Sequence, residues 1–290
     1  MINRTIPLQT GGVIPIKYKI GDVAKLLSIT PEAIRYYEDQ GIITSTRDER
    51  SGYRYYGVWD IHVLIQSRIY RQYGYSLAEA ANLINHCKID DIASILSEKE
   101  ADIEKAIIWH MNLLKRIRQV QTIITDTKNN LGKFRLEYRP PMYRLETQDG
   151  YKLYSSPHKR ALTQSWIEKI PFVFPGALFP KSELEQGGTK FSFGLAVDEE
   201  YANFLDIKPS EDVVFFPSRL CLYTAFQSHS GIVLSPRHLA PAIDYMHSQG
   251  MKLHGDIISK IVMMCKIENK YYNWHQLWLP IDSQPPQASL

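Results

Sequence analysis

One helical segment constrains the architecture of this chain more than any other feature. Between residues 98 and 131, apolar residues recur every seven positions and again three positions later, which predicts one helix with an apolar stripe. At about 1.5 Å per residue, such a helix is roughly 50 Å long. Neither flanking segment matches that length, so we expect the stripe to pair with a second copy of the chain. The alternative is that the helix packs onto the C-terminal domain as part of its core.

The predicted dimerisation contacts are members of these two heptad series, with one polar interruption at His110. They are Ile103, His110, Leu113, Ile117, Val120 and Ile124.

Residues 17–86 form a first predicted domain that contains two short helices. Apolar residues from Ile20 to Leu27 are spaced as one helical face. Thr30 is a suitable N-cap and Pro31 a suitable first residue for a second helix, which should end near Gln40. A join of only three residues between two helices is typical of a helix-turn-helix. A polar hairpin over 44–56 and helices over 58–73 and 76–85 should follow.

The second short helix and the hairpin carry the residue types that bind DNA. Arginine can bind a guanine edge or a phosphate, and a tyrosine hydroxyl can donate to a phosphate oxygen. The small basic excess of the chain, a formal charge of +3, also lies within residues 1–133. Any one of these side chains could be an ordinary surface residue, but the ordered set predicts an interface with double-stranded DNA. The set is Tyr18, Thr30, Arg35, Tyr36, Tyr37, Arg47, Arg54 and Tyr55.

The third region, residues 134–282, alternates strand-like and helical stretches and predicts an α+β domain. The expected strands cover 134–146, 189–197, 212–225, 261–267 and 274–281, and the expected helices lie near 162–169 and 237–249. The acidic run Asp198-Glu199-Glu200 should open another helix, because negative charge favours a helix N-terminus.

Three stretches of the first domain match the signature of MerR-type transcription regulators in order and spacing. They are residues 18–24, residues 34–38 with 41–43, and residues 51–56. The chain resembles this family, and its long helix follows where the family has the dimerisation helix. The resemblance implies a winged helix-turn-helix homodimer that binds a pseudo-palindromic operator in a promoter spacer. It also implies activation by distortion of that spacer, which realigns the promoter elements for RNA polymerase.

The third region is similar to the GyrI-like effector-binding domain of the multidrug-sensing MerR branch. The matching parts are residues 139–146, the run 222–226 followed by Gly231, the helix 239–249 and the closing 277–281. The resemblance implies two βαββ repeats around an aromatic pocket for a lipophilic, often cationic molecule.

One position departs from that pattern. Such domains often place an acidic residue opposite a cationic ligand, and here Ser259 takes that place, with Lys260 beside it. Burying a cation without a counter-charge is costly, so the ligand could equally be neutral. If it is a cation, an aromatic cage or a carboxylate of Glu146, Glu183 or Glu185 would have to hold it. Some of seven candidates should line the pocket, although each aromatic one could be a core residue instead. They are Phe172, Phe174, Tyr223, Tyr245, Ser259, Trp274 and Trp278.

Other functions have little support in the sequence. The cysteines Cys87, Cys221 and Cys265 are scattered, so we expect neither a disulfide scaffold nor a metal site. Nucleophile-elbow, P-loop, zinc-protease and dinucleotide motifs are all missing, so we expect no enzyme activity and no cofactor. The alternatives are a C-terminal domain that binds a protein partner, and a hydrolase.

The sequence also favours a cytoplasmic protein. No stretch is long and apolar enough to span a membrane, and the start lacks the features of a signal peptide. Residues 1–16 do not belong to the family pattern, and the end of the chain should be loose.

Overall fold

The computed structural model describes residues 16–230 and 234–282, which form two compact units that divide between Lys105 and Ala106. Residues 1–15, Gly231 and the end of the chain, on which the sequence analysis made predictions, lie outside the described residues. Among the described helices, none combines the length and the apolar character that a membrane span requires.

The first unit begins with the two expected short helices, α1 (Ile20–Leu27) and α2 (Pro31–Asp39). The Thr30 hydroxyl accepts a hydrogen bond from the Ala33 amide at 3.1 Å, as expected for an N-cap. Strands β1 (Tyr18–Lys19), β2 (Thr46–Arg47) and β3 (Arg54–Tyr56) form a small sheet in the order β1-β3-β2. Helices α3 (Val58–Gln72) and α4 (Leu77–Asn85) complete the unit.

The long helix, α5, spans Ile89–Asn129 and contains 41 residues. The predicted start at residue 98 was wrong, because the apolar period fades towards the N-terminus while the helix itself continues. Acidic residues in the first turn favour the earlier start, and the Asp91 carboxylate accepts from the Lys88 amide at 3.0 Å.

The two heptad series of α5 lie in different environments. Leu113, from the second series, packs beside Trp109 against a core that includes Phe172, and Thr127 is fully buried. The exposed apolar face instead combines the first series with residues four positions later, so the prediction that Leu113 belongs to the exposed stripe was wrong. The exposed stripe is Ile103, Ile107, Leu114 and Ile117.

The second unit is built on a nine-stranded sheet with the order β4-β10-β12-β11-β7-β8-β5-β6, and β9 pairs with β5. The strands are β4 (Arg135–Arg139), β5 (Met142–Asp149), β6 (Lys152–Leu153), β7 (Val173–Phe179), β8 (Ser192–Asp198), β9 (Val213–Phe216), β10 (Arg219–His229), β11 (Ile257–Ile267) and β12 (Lys270–Pro280). The helices are α6 (Pro157–Ile167), α7 (Lys181–Glu185), α8 (Glu199–Ala202) and α9 (Ala240–Ser248), preceded by a 3-10 turn at Pro236–Leu239.

Helices α6 and α9 cover one face of this sheet. Trp166 of α6 packs with Leu145 and Val197, and Met246 of α9 packs with Leu222 and Leu277. The strand registers place these partners on the same side of the sheet. The opposite face is therefore free of these two helices.

Proline explains where the strand predictions failed. The expected strand over 134–146 is broken at Pro140-Pro141, and the one over 212–225 is broken at Pro217, because proline cannot donate a ladder hydrogen bond. Strand β7 was missed altogether, since it contains Pro175 and Gly176. A Cβ at Gly176 would lie 2.2 Å from the Ser259 carbonyl oxygen, so only glycine permits this close approach of β7 and β11.

Candidate DNA interface and candidate ligand cavity

Helix α2 presents an arginine and a tyrosine to solvent. The Arg35 guanidinium lies 3.3 Å from the Glu32 carboxylate, and about half of its side chain is exposed. Tyr36 is 54% exposed. An exposed ion pair of this kind contributes little to stability, so Arg35 can leave Glu32 for another anion at small cost.

The hairpin β2–β3 is held to α2 through one carboxylate. Glu38 contacts Arg54 at 3.3 Å and also accepts from the hydroxyls of Ser45 and Tyr56. Burial alone would raise the pKa of Glu38, but the Ser45 hydrogen bond and the Arg54 charge lower it overall. Burial and the same carboxylate raise the pKa of Tyr56 to about 12. The ionised Glu38 thus fixes the hairpin against the helix and partly occupies Arg54, while Arg47 is exposed.

The remaining candidates for DNA binding have structural contacts of their own. Thr30 caps α2, Tyr37 packs against the core of the unit, and Tyr18 pairs with Tyr56 in the small sheet. Tyr55 is partly exposed on β3. Arg35, Tyr36 and Arg47 are therefore the most accessible of the set.

A cavity of about 1140 Å³ lies between α5 and the sheet face that α6 and α9 leave uncovered. Helix α5 contributes Met111, Leu114 and Thr122 to its wall, and the sheet side contributes Tyr143 and Trp278. The helix side of the cavity also carries Lys115, Arg118 and Gln119, so it mixes apolar and charged side chains, and aromatic rings lie opposite.

Two residues at the floor of this cavity, Asp198 and Lys260, belong to a buried cluster of charges that Arg116 completes from outside the lining. The ammonium of Lys260 and the guanidinium of Arg116 contact the same oxygen of Asp198, Oδ2, at 3.2 and 3.4 Å. Lys260 also lies 3.7 Å from the centre of the Phe174 ring. Burial lowers the pKa of Lys260, and the charge of Asp198 opposes that effect. Within the described residues, Oδ1 of Asp198 has no hydrogen-bond partner.

A hydrogen-bond network runs from the cavity wall to α5. The Trp278 indole donates to Glu137 at 2.8 Å, and Arg135 binds both Glu137 and Asp126. Because of the Arg135 hydrogen bonds, the pKa of Asp126 is lowered. The aromatic wall is therefore fixed to the last turns of the long helix.

The alternation of strand β11 decides which residue faces the cavity. Ser259 pairs with Ala177 and Leu277 and is fully buried on the side of α9. Lys260 pairs with Gly176 and Gln276, which places it on the cavity side. Ser259, the residue at the position of the acidic group in similar domains, therefore does not lie at the cavity wall. The next residue, Lys260, faces the cavity instead.

Of the seven predicted pocket residues, only Trp278 lines this cavity. Phe172 is a core residue beside Tyr201, and Tyr245 stacks on Phe134 next to α9. Phe174 lies under Lys260, and Trp274 packs near Tyr272 further along β12. These aromatic residues were grouped by composition, whereas the faces of the strands separate them.

Tyr223 faces the cavity side but is fully buried beneath Gln276 and Arg135. The proposed substitutes for the missing acid also lie elsewhere. Glu146 binds Arg144 and Tyr154, and Glu183 and Glu185 lie on α7. None of these carboxylates contributes to the described wall of the cavity.

Sequence reasoning missed the charged cluster of Lys260, Arg116 and Asp198. The signal was an ionisable residue within a strand segment flanked by Ile257, Ile258 and Ile261, because a buried lysine is rare unless it is paired. Among the described residues, His, Cys, Asp and Glu form no group of three that could hold a metal ion.

Comparisons with known proteins agree with the first unit. The family model "MerR family regulatory protein" matches residues 19–56. The HTH-type transcriptional regulator CueR of Escherichia coli O157:H7 is 36% identical over 93 residues, which are 30% of this chain and 69% of that protein. An uncharacterised HTH-type transcriptional regulator of Pseudomonas aeruginosa is 32% identical over 112 residues, 39% of this chain and 80% of that protein.

Two more distant similarities extend further. The multidrug-efflux transporter 2 regulator of Bacillus subtilis is 27% identical over 120 residues, 41% of each chain. The solved EcmrR–DNA complex overlaps 91% of this chain and 99% of EcmrR with a TM-score of 0.36 and 14% identity, which is too weak to support an argument. The identity and coverage of the nearer relatives show that the chain belongs to the MerR family of DNA-binding transcriptional regulators.

Proposed function

We propose that this regulator is a cytoplasmic homodimer that binds a pseudo-palindromic operator within a promoter spacer. In this proposal α2 enters the major groove with Arg35 and Tyr36, and the hairpin with Arg47 lies along the phosphate backbone. The exposed apolar stripe of α5 forms the dimer seam. The protein activates transcription by distorting the promoter for RNA polymerase.

The C-terminal unit, in the same proposal, is a GyrI-like effector-binding domain that senses a lipophilic small molecule of the multidrug type. One observation carries this step: α5 forms a wall of the cavity through Met111, Leu114 and Thr122. Any molecule bound there contacts the helix whose chain continues into the DNA-binding unit. A ligand shifts the balance between two helix arrangements only by its difference in affinity for them, and a shared wall provides such a difference.

The size and lining of the cavity support this choice. Its volume of about 1140 Å³ is at the upper end of what small-molecule sites offer. Tyr143 and Trp278 supply flat apolar surfaces, and polar or charged side chains line the cavity from both α5 and the second unit's sheet. This combination is typical of sites that hold aromatic ligands.

The test is tryptophan quenching of the purified protein by a panel of lipophilic cations, anions and neutral aromatics, since Trp278 lines the cavity. At least one compound should quench saturably. Thr122→Phe should reduce its affinity about tenfold by filling the cavity. Thr125→Phe is the matched control, because Thr125 is exposed on the same helix but does not line the cavity.

Two results would contradict the proposal. One is quenching by no compound of the panel, which is the result expected if the domain serves only to hold a protein partner. The other is equal loss of affinity in both variants. A quenching compound should also change the transcript level from the protein's own upstream promoter with purified RNA polymerase.

A further inference from the structure

The buried charges at the cavity floor do not balance. The side chains of Arg116 and Lys260 are only 5% and 6% exposed, and both contact one carboxylate, that of Asp198. Two cations against one anion leave one positive charge in excess. Because a buried charge is costly unless it is paired, this excess favours a further anion at the same place.

The neighbouring carboxylates are already paired. Glu200 binds Lys115 and accepts from Gln119 at 2.7 Å, and Glu137 binds Arg135 and Trp278. Glu199 is exposed at the start of α8. Among the described carboxylates that line the cavity, only this exposed Glu199 forms no ion pair, and only Asp198 lies within ion-pair distance of Lys260 or Arg116.

Lys260 has hydrogen-bonding capacity to spare. An ammonium group has three N–H donors. In the described structure one donates to Asp198, and the ring face of Phe174 takes a second direction. Gln276, directly opposite Lys260 in the sheet register, lines the same cavity and uses its amide nitrogen towards Tyr223. Lys260 and Gln276 thus offer two adjacent donor groups at the cavity floor.

From this geometry we infer that the cavity takes an aromatic or lipophilic molecule with a carboxylate or a comparable anionic group, which Lys260 binds. The inference rests on the proposed function, because it names the ligand class of the same cavity. The aromatic wall with Trp278 holds the apolar part of the molecule. A cationic ligand of the same shape would meet the ammonium of Lys260, whose neighbouring carboxylate, that of Asp198, is already shared with Arg116. Oδ1 of Asp198 has no hydrogen-bond partner, but this does not favour a cationic ligand, since Lys260 and Arg116 already contact the same carboxylate.

The test compares three probes that share one aromatic body and differ only in the head group. They are biphenyl-4-carboxylate, biphenyl-4-carboxamide and biphenyl-4-ylmethylammonium. Isothermal titration calorimetry with the full-length protein should give the tightest binding for the carboxylate. We expect an affinity about tenfold or more above that of the ammonium probe, since hydrogen bonds to charged groups are the stronger ones.

A variant pair then identifies the residue. Lys260→Met keeps the length of the side chain and leaves Arg116 and Asp198 as a one-to-one pair, so the fold should persist, and an unchanged melting transition would verify this. Its affinity for the carboxylate probe should fall about tenfold while that for the carboxamide stays within about twofold. Lys128→Met is the matched control, since it removes the same charge from an exposed residue of α5 that does not line the cavity.

The outcomes separate this inference from the proposed function. Tighter or equal binding of the ammonium or carboxamide probe would overturn the anion inference and leave a small-molecule cavity in place. The same loss for Lys128→Met as for Lys260→Met would also overturn it, since the general electrostatic field of the protein would then account for the effect. Binding of none of the three probes at millimolar concentration would overturn the inference together with the proposed function.

Discussion

The Tyr223 hydroxyl donates to the Asp126 carboxylate at 3.0 Å, and this bond joins β10 of the sheet to the long helix α5. The same hydroxyl accepts from the Gln276 amide at 3.1 Å, and Gln276 lines the cavity. Burial raises the pKa of Tyr223, and the Gln276 bond opposes that shift. One phenol thus links a residue of the cavity wall to the helix.

Tyr223→Phe should therefore destabilise the C-terminal unit. It removes one neutral and one charge-assisted hydrogen bond from a fully buried site without leaving a large void. The free energy of unfolding should drop by about 1–3 kcal/mol in urea denaturation. Tyr138→Phe is the control, since Tyr138 is 69% exposed. An unchanged midpoint for Tyr223→Phe would show that the bond contributes nothing to stability.

A buried histidine makes stability depend on pH. His275 is 1% exposed and lies 2.8 Å from the Ser228 hydroxyl through Nε2, and its ring stacks on Phe226. Burial, with a smaller effect of the His238 charge, lowers the pKa of His275 to about 4 from an ordinary value of 6.5. The unfolded chain therefore binds a proton between these values that the folded chain does not bind. Stability is fully present above pH 6.5 and decreases as the pH falls towards 4.

The loss attributable to His275 should be about 3 kcal/mol across that interval. Because carboxylates titrate there too, the measurement is the difference in urea stability between pH 7 and pH 4.5 for the wild type and for His275→Gln. The variant should lose less than the wild type. Exposed His247→Gln should behave as the wild type does. If wild type and His275→Gln lost the same stability between pH 7 and pH 4.5, His275 would not be a source of the pH dependence.

Arg35→Ala should weaken operator binding while the dimer stays intact. The exposed guanidinium is free to bind a base edge or a phosphate, and one such contact accounts for about 1–3 kcal/mol, or about 5- to 150-fold in affinity. Gel-shift titration with the promoter DNA upstream of the gene measures the effect. Arg160→Ala, an exposed arginine of the other unit, should leave the affinity unchanged. Equal protection of the operator by Arg35→Ala and wild type would exclude α2 as the recognition helix.

Ile117→Asp should separate the dimer. Ile117 is 48% exposed in the single chain, and a dimer seam would bury it twice, once from each copy. Loss of that apolar burial, together with two buried charges, should raise the dissociation constant at least about 100-fold in analytical ultracentrifugation. Ile117→Leu should keep the dimer. If Ile117→Asp also sediments as a dimer at micromolar concentration, the seam lies elsewhere.

Local signals were sufficient for the first unit. The Thr30 N-cap and the proline after it act within a few residues of the chain, so the sequence predicts the start of the second short helix well. The apolar period likewise revealed α5, although not the nine residues at its start, where charge rather than periodicity favours the helix. Which heptad series faces the sheet was not predictable, because Leu113 and Ile117 are both apolar and only the partner distinguishes them.

The cavity required long-range information. Neighbouring residues of a strand point to opposite faces, but which face borders the cavity depends on the pairing of β11 with β7, far away in the chain. The sequence around Ser259 and Lys260 therefore could not show which of the two faces the cavity. The burial of Arg116 depends on Asp198, 82 residues away. Aromatic composition alone selected Phe172 and Tyr245, which pack on the other side of the sheet.

The inner side of α5 has a consequence for exchanging parts between regulators of this kind. Leu113 packs against the core of the second unit, Arg116 and Asp126 form hydrogen bonds to residues of its sheet, and the boundary between the units falls before Ala106. A chimera that grafted only residues 134–282 onto another DNA-binding domain would lose a cavity wall and one partner of the buried charge cluster. We therefore expect that the part to transfer is residues 106–282, which includes the second half of the long helix.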